Sequence, residues 1–390
     1  MKNAEPRAVL KDRGAARARS GHPWIYRSDV AEASGEVGDV VSVIDRRGNF
    51  LGHAFYNPRS EITLRIAERA DAPIDQRWFR GRLERAIAYR DSLGIDADAY
   101  RLMHAEADGV PGLVVDRYGD YLVLQVGSAA LERRLDWILS ALGELLGPAG
   151  ILLRADSTAR KREGLDTTVR LLSGEVPESV VVREGRMRYR ADLWKGQKTG
   201  GFLDQRENHL AAGRYASGRV LDVFSFAGGF ALHAARRAES VEAVDASAPA
   251  LEAARANAQL NGITNITFTT ANAFDLLRGR SDVGERYDTV ILDPPAFAKT
   301  KRDLPRAQRA YKEINRRAMK LLGAGGILVT CSCSYHLSRE HFEDTLRSAA
   351  ADAGRTVRVR EWRGQARDHP EILTVPETRY LKCAVLECAS

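Results

Sequence analysis

The sequence predicts an α/β chain: a Rossmann-like, doubly wound parallel sheet over residues 191–390, preceded by a small β-barrel over 1–72 and an α+β module over 73–190. Three observations predict it. From Val220 onward, strand-like and helix-like runs alternate regularly, as in a parallel sheet crossed by helices. Ahead of Pro73, short β-rich runs are separated by Gly, Asp and Asn turns. Between the two lie strand runs on either side of one amphipathic helix.

In the first block, Val37 to Ile44, Gly48 to Ala54 and Glu61 to Ala67 read as the barrel strands. A helix rich in Arg and Ala follows over 75–93 and stops at Gly94. In the second block, Leu113 to Asp116 and Tyr121 to Val126 form a hairpin around Gly119-Asp120. Leu131, Leu135, Ile138, Leu142, Leu145 and Leu146 recur at helical spacing, and Gly147-Pro148 ends that helix. Ile151 to Arg154 and Ser179 to Tyr189 supply the module's remaining strands, giving the order strand–strand–helix–strand–strand. In the third block the strands are 220–224, 241–245, 265–270, 288–292 and 327–330, closed by 356–360 and 380–387. The helices begin near Phe230, Pro249, Arg306 and Arg339, and Ser247 and Ser338 are candidate N-caps.

Composition bounds the function. The 390 residues are 44% hydrophobic and 28% charged, which excludes wholesale disorder and fibrous repeats. No apolar run approaches the roughly 18–20 residues of a bilayer span. Met1 to Ser20 has no apolar core of the secretory kind. A cytoplasmic chain with no membrane partner is expected. Lys+Arg 59 against Asp+Glu 52 gives +7, which admits a nucleic-acid partner without requiring one. Charge concentrates at the start: Lys2, Arg7, Lys11, Arg13, Arg17, Arg19 and Arg27 face only Glu5 and Asp12. The cysteines, 331, 333, 383 and 388, cluster near the C-terminus rather than framing the chain as disulfides do. No second ligand pair accompanies Cys331 and Cys333, so no metal site is expected.

The chemistry concentrates at the ends of the predicted parallel strands, where such sheets bind ligands. Asp222 lies on the first strand, and Phe226-Ala227-Gly228-Gly229 opens the following helix. Asp245 ends the second strand, placed to accept hydrogen bonds from both hydroxyls of a ribose. Asn272-Ala273 follows the third, where a side-chain amide can read an adenine edge. The dinucleotide fingerprint G-x-G-x-x-G is absent, which disfavours a dehydrogenase. A ribose and adenine without a pyrophosphate fit S-adenosylmethionine. Gln197 and Arg206 lie in a polar, Gly-rich segment just upstream that reads as a cofactor-contacting loop. The fourth strand ends in Asp293-Pro294-Pro295-Ala296-Phe297. Two prolines end a strand ladder, leaving Asp293 free to bind a base edge and an aromatic to stack on it. Lys299 and the basic residues after it suit phosphates. The fifth strand ends in Thr330-Cys331-Ser332-Cys333-Ser334. A thiolate there can add to carbon 6 of a pyrimidine and make carbon 5 nucleophilic. Either cysteine could serve, with Cys333, further out of the strand, preferred. Methylation of a base nitrogen needs no thiol and is the competing chemistry; a non-catalytic RNA-binding assembly factor is a third.

Together these motifs resemble the bacterial 23S ribosomal RNA cytosine-carbon-5 methyltransferase family called large subunit methyltransferase I. The resemblance covers nearly the whole chain. It is carried by Gly21-His22-Pro23-Trp24-Ile25-Tyr26, Arg101 to Gln125, Gln197 to Asn208, Asp222 to Phe230, Asp293 to Phe297, Thr330 to Ser334, Asp368-His369-Pro370 and Pro376-Glu377-Thr378. It implies an N-terminal PUA domain and a C-terminal class I methyltransferase domain. It also implies S-adenosylmethionine contacts at Phe226, Gly228, Asp245, Asn272 and the Gln197–Arg206 loop, with Asp222, Ala273 and Asp293 nearby. The implied substrate is a cytosine of 23S ribosomal RNA flipped onto the loop of Pro295, Phe297 and Lys299, with Asp293 and a cysteine as the catalytic groups. A homodimer is compatible with the reading. Two positions depart from the pattern: Asn272 stands where Asp is common, and Gly201 where an aromatic is expected.

Overall fold

A computed structural model describes residues 5–389. The chain forms two compact units. The first runs to Val182 and takes in Ala191–Leu203 and Arg367–Thr378; the second comprises Arg183–Arg190, Asp204–Ala366 and the segment from Arg379.

The first unit opens with β1 (Arg7–Leu10), α1 (Asp12–Arg19), β2 (Trp24–Tyr26), β3 (Val30–Ala33), β4 (Val40–Asp45), β5 (Phe50–Tyr56) and β6 (Ile62–Glu68). These strands form one sheet in the order β2-β6-β5-β4-β1-β3. Period-2 alternation in β4 puts Val41 and Val43 inside, where they meet Ala8, Leu10, Ile25 and Leu64. The sequence reading gives β4 to β6 but not β1 to β3, which span only three or four residues each, or α1, whose dense arginines hide its apolar face. Asp75 then caps α2 (Gln76–Ser92), accepting from the Trp78 N–H at 2.9 Å.

A second sheet follows: β7 (Ala99–His104), β8 (Leu113–Tyr118), β9 (Tyr121–Val126), β10 (Gly150–Leu153) and β11 (Arg170–Gly174), ordered β11-β10-β9-β8-β7. The helix expected over 131–146 is two helices, α3 (Ala129–Glu132) and α4 (Leu135–Leu146), because Arg133 and Arg134 turn the chain between them. A short α5 (Thr158–Glu163) precedes β11. The segment 179–189 does not join this sheet as expected. It turns at Gly185 (φ +56°) into a separate hairpin of β12 (Ser179–Glu184) and β13 (Met187–Asp192).

The second unit carries α6 (Arg206–Tyr215), β14 (Arg219–Val223), α7 (Gly229–Ala235), β15 (Ser240–Asp245), α8 (Ala248–Leu260), β16 (Ile266–Thr270), α9 (Ala273–Asp282), β17 (Tyr287–Leu292), α10 (Leu304–Leu321), β18 (Leu322–Ser332), α11 (Arg339–Ala353), β19 (Val357–Arg363) and β20 (Lys382–Cys388). Its seven strands lie in the order β16-β15-β14-β17-β18-β20-β19. The sheet is not wholly parallel as predicted: β20 runs antiparallel to both β18 and β19. A strand reached from β19 through a long irregular segment, with no crossover helix, is free to enter reversed. Leu221, Val223, Val290 and Leu292 pack on one face with Tyr311, Ile314 and Phe342. Val220, Ile291, Val329 and Cys331 pack on the other with Ala212, Phe230 and Ala231. Ser247 and Ser338 cap α8 and α11 through their side chains, as their positions predict. Among the described residues no helix is long and apolar enough to cross a membrane.

Candidate active site

The strand order reverses between β15-β14 and β14-β17, so the carboxyl ends of β14 and β17 part and leave a crevice. Asp222 and Asp293 stand at these carboxyl ends, and Asp245 ends the adjacent β15. Asp222 is fully buried, and its Oδ2 accepts from the Ser225 hydroxyl at 2.6 Å. Burial pushes its carboxyl up to about 6. Its Oδ1 is buried with no hydrogen-bond partner. The loop after β14 is strained: Phe224 (φ +67°) and Phe226 (φ +50°) occupy the left-handed region, at about 1–3 kcal/mol each. Asp245 holds this loop open, since Oδ2 accepts the Phe226 N–H at 3.0 Å and Oδ1 accepts the Ser247 N–H at 2.8 Å. Gly228 takes φ +85° as the cap of α7.

Asn272 caps α9, its Oδ1 accepting from the N–H groups of Phe274 at 2.9 Å and Asp275 at 3.3 Å. Its carbonyl is therefore engaged by the helix, while Ala273 is buried behind it. Gln205 is buried and donates from Nε2 to Asp293 Oδ1 at 2.8 Å, its own Oε1 accepting from Asn208 at 2.7 Å. Arg206 is buried beside them.

The loop after β17 meets the end of β18. Ser334 Oγ accepts the Ala298 N–H at 3.1 Å and lies 3.0 Å from the Tyr311 hydroxyl, tying the two loops together. Cys333 is half-buried past the end of β18, with Sγ 3.9 Å from the Pro294 carbonyl oxygen. Cys331 is fully buried opposite Cys383, and burial together with that neighbour pushes its thiol well up. Pro295 and Lys299 are exposed. The Phe297 ring is partly buried among Tyr311 (4.7 Å between centroids), Phe274 (5.9 Å) and Phe224 (6.4 Å).

Sequence reasoning missed a buried cluster on the other side of the glycine loop. Glu184 Oε1 lies 2.9 Å from His209 Nδ1 and 3.0 Å from His233 Nε2. Burial works against a charged His209, but Glu184, Asp293 and Asp222 outweigh it and raise its pKa. Burial likewise opposes ionisation of Glu184, yet the two imidazoles hold it down to about 2. A Cβ on Gly229 would come within 2.6 Å of the His209 ring, so the glycine is needed there. No local signal links these residues, which come from β13's hairpin, α6 and α7.

Gln197 lies in the first unit, exposed, in a loop with its own anchors. Thr199 is buried and donates to Asp116 Oδ2 at 2.6 Å, and it lies 3.1 Å from the Tyr118 hydroxyl. Arg101 holds Asp116 from the other side at 2.7 and 2.9 Å. The motifs Asp368-His369-Pro370 and Pro376-Glu377-Thr378 also belong to this unit: Asp368 Oδ2 accepts the Arg101 N–H at 2.8 Å, and His22 lies 3.0 Å from Glu377. Of the basic N-terminal stretch, Lys2 lies outside the described residues. Arg13 pairs with Asp29 at 2.5 Å, Arg19 pairs with Asp45, and Arg17 lies over the Tyr26 ring, so part of that charge holds the barrel together.

Comparison with known proteins agrees with this geometry. Residues 8–69 match a PUA-like domain and residues 154–361, more than half of the chain, match an S-adenosylmethionine-dependent methyltransferase. Ribosomal RNA large subunit methyltransferase I of Shigella boydii is 40% identical over 371 residues, covering 93% of this chain and 94% of that protein. The chain belongs to the ribosomal RNA large subunit methyltransferase I family. Family members from Vibrio cholerae and Klebsiella pneumoniae are equally similar at 40%, the latter over 97% of both chains. A methyltransferase crystallised with SAH shares the fold at a TM-score of 0.85 and 19% identity, covering 98% of this chain and 99% of that one. A SAM-dependent methyltransferase from Streptococcus mutans does so at 0.83 and 19%, with the same coverage.

The chain is thus an S-adenosylmethionine-dependent methyltransferase with a PUA-like domain ahead of its catalytic domain. The residues present fit that cofactor. The partnerless buried Oδ1 of Asp222 suits an ammonium donor, and Asp245, placed at the strand end, has lone pairs left for a ribose.

Proposed function

We propose that this family member methylates carbon 5 of a cytosine in 23S ribosomal RNA, in the cytoplasm, with Cys333 as nucleophile. The observation that carries the choice of residue is the contrast between the cysteines. Cys333 is half-buried at the lip of the Asp-Pro-Pro loop, whereas Cys331 is sealed in the sheet. The substrate class rests on the family and on the PUA-like domain. Support for phosphate binding comes from Lys299, Lys301, Arg302 and Arg306, which are all exposed.

Asp222, Phe226, Gly228, Asp245, Asn272 and Ala273 would hold S-adenosylmethionine, with Gln205 supporting Asp293. Bound, the cofactor supplies an electrophilic methyl group. Cys333 Sγ, as thiolate, forms a bond to carbon 6 of the cytosine, and carbon 5 gains nucleophilic character. After carbon 5 is methylated, its proton leaves to a base, the Sγ–carbon 6 bond breaks, and the thiolate is restored. Asp293, fixed by Gln205, accepts from the exocyclic amino group or protonated ring nitrogen of the base. Pro294 and Pro295 fix that carboxylate's direction. The aromatic cluster packs Phe297 beneath the loop, so in this reading it supports the loop and presents one ring face.

The test is mechanism-based trapping. RNA carrying 5-fluorocytidine at the target lacks the proton that must leave, so the enzyme stays bonded to it. A denaturant-stable adduct whose peptide map places RNA on Cys333 is expected with wild type and with Cys331→Ala. An adduct on Cys331, or none with RNA that is otherwise methylated, refutes the reading.

A further inference from the structure

We infer that Lys382 is the counter-ion of the Cys333 thiolate, a positioning residue that keeps the nucleophile ionised; this rests on Cys333 being that nucleophile. Lys382 opens β20 directly opposite Ser332 of β18 and is 5% exposed. Its Nζ donates to the Ser334 carbonyl at 2.7 Å and the Tyr380 carbonyl at 2.9 Å. Cys333 lies between the residue that pairs with Lys382 and the residue whose carbonyl holds its ammonium. The cation is thus bound to the same turn that carries Sγ.

Two carbonyls take two of the three N–H donors and leave one. No carboxylate lies within ion-pair distance of Nζ among the described residues. A buried ammonium with only neutral partners is costly, and it is relieved when an anion forms beside it. Burial, against an opposing pull from the Cys333 sulfur, brings Lys382 down to about 8, and that pull places the two groups in electrostatic reach. Of the other ionisable groups around this turn, Tyr311 and Asp293 supply no positive charge, and His336 follows three residues along the same loop. Tyr311, from α10, is hydrogen-bonded to Ser334 and pushed up to about 12 by burial, so it stays neutral. Asp293, on the loop after β17, is a carboxyl group whose charge works against ionisation of the neighbouring Cys331 thiol. A positive neighbour of this kind favours a thiolate over a thiol. When Cys333 ionises, its proton goes to water; Lys382 keeps its own proton and makes no covalent bond.

The test is the pH dependence of Cys333 alkylation by iodoacetamide in the full-length enzyme, resolved by peptide mass spectrometry, with circular dichroism as the fold control. Lys382→Met is expected to move the midpoint up by about one unit or more, which is tenfold slower labelling near pH 7. Lys382→Arg keeps the charge and is expected to label within about threefold of wild type. The KM for S-adenosylmethionine is expected to stay level while kcat falls, because Lys382 touches none of the residues assigned to the cofactor. A Lys382→Met profile that superimposes on wild type overturns the inference. If that variant misfolds, Lys382→Arg decides: a midpoint at or below that of wild type supports the role, and one a unit higher overturns it. Failure of the nucleophile reading is seen separately, as full methylation by Cys333→Ala, whatever the labelling profiles do.

Discussion

Replacing Glu184 with Gln removes the one anion between two buried imidazoles while keeping the side chain's shape. Glu184 is 13% exposed and His209 11%, so solvent screens the pair little. Breaking a buried pair by removing one partner costs about 3–5 kcal/mol, and the lower end applies because an amide can still hydrogen-bond one ring. For a unit of this size, about 3 kcal/mol lowers Tm by roughly 6–12 °C. The pH dependence follows from the sign of the His209 shift. Its pKa is raised on folding, so its stabilisation is complete below the unfolded histidine value and fades as pH rises through the folded value. Glu184, held down to about 2, stays ionised throughout if the pH is kept above 5. The Tm deficit of Glu184→Gln is therefore larger at pH 6 than at pH 9. Scanning calorimetry on both proteins at both pH values measures it. A deficit under 2 °C, or one that is the same at pH 6 and pH 9, would refute the charged-pair account.

Three further outcomes are expected. Gly229→Ala drives a methyl within 2.6 Å of the clamped His209 ring and destabilises by about 1–3 kcal/mol, whereas Gly143→Ala, in α4 with nothing within 4 Å, is neutral or stabilises by up to about 1 kcal/mol; parallel urea melts separate the two. Thr199→Val removes the hydroxyl that meets the Tyr118 hydroxyl and one donor to Asp116, a loss of about 1–3 kcal/mol that hydrogen exchange reads as lost protection in the loop around Gln197. Asp245→Ala frees the strained Phe226 peptide and weakens S-adenosylmethionine binding by tenfold or more in calorimetric titration; unchanged affinity counts against its assignment.

Much of the catalytic unit was legible because its signals are local. The strand–helix alternation, the Ser247 and Ser338 caps and the Asp-Pro-Pro break each sit within a few residues, and each appears where the chain predicts. The direction of β20 was not legible, since a buried apolar strand reads the same in either direction. The six-stranded barrel sheet was half hidden because β1 to β3 are only three or four residues long, too short to show a period. The break between α3 and α4 leaves the apolar spacing intact, so periodicity alone joined them. The motifs at 368–370 and 376–378 read as catalytic-unit features by position, but their contacts with Arg101 and His22 lie within the first unit. Glu184, His209, His233 and Lys382 gave no sequence signal. Their roles come from contacts between residues far apart in the chain, and only the fold brings those together.

Product analysis bears most directly on the claim that Cys333 makes 5-methylcytosine. Unmodified 23S ribosomal RNA would be incubated with methyl-labelled S-adenosylmethionine and wild type, Cys331→Ala or Cys333→Ala, then digested and separated as nucleosides. The account predicts label in 5-methylcytidine with wild type, label retained with Cys331→Ala, and label lost with Cys333→Ala although that variant still binds the cofactor. Label in a methylated purine, or in 5-methylcytidine that survives Cys333→Ala, would contradict it.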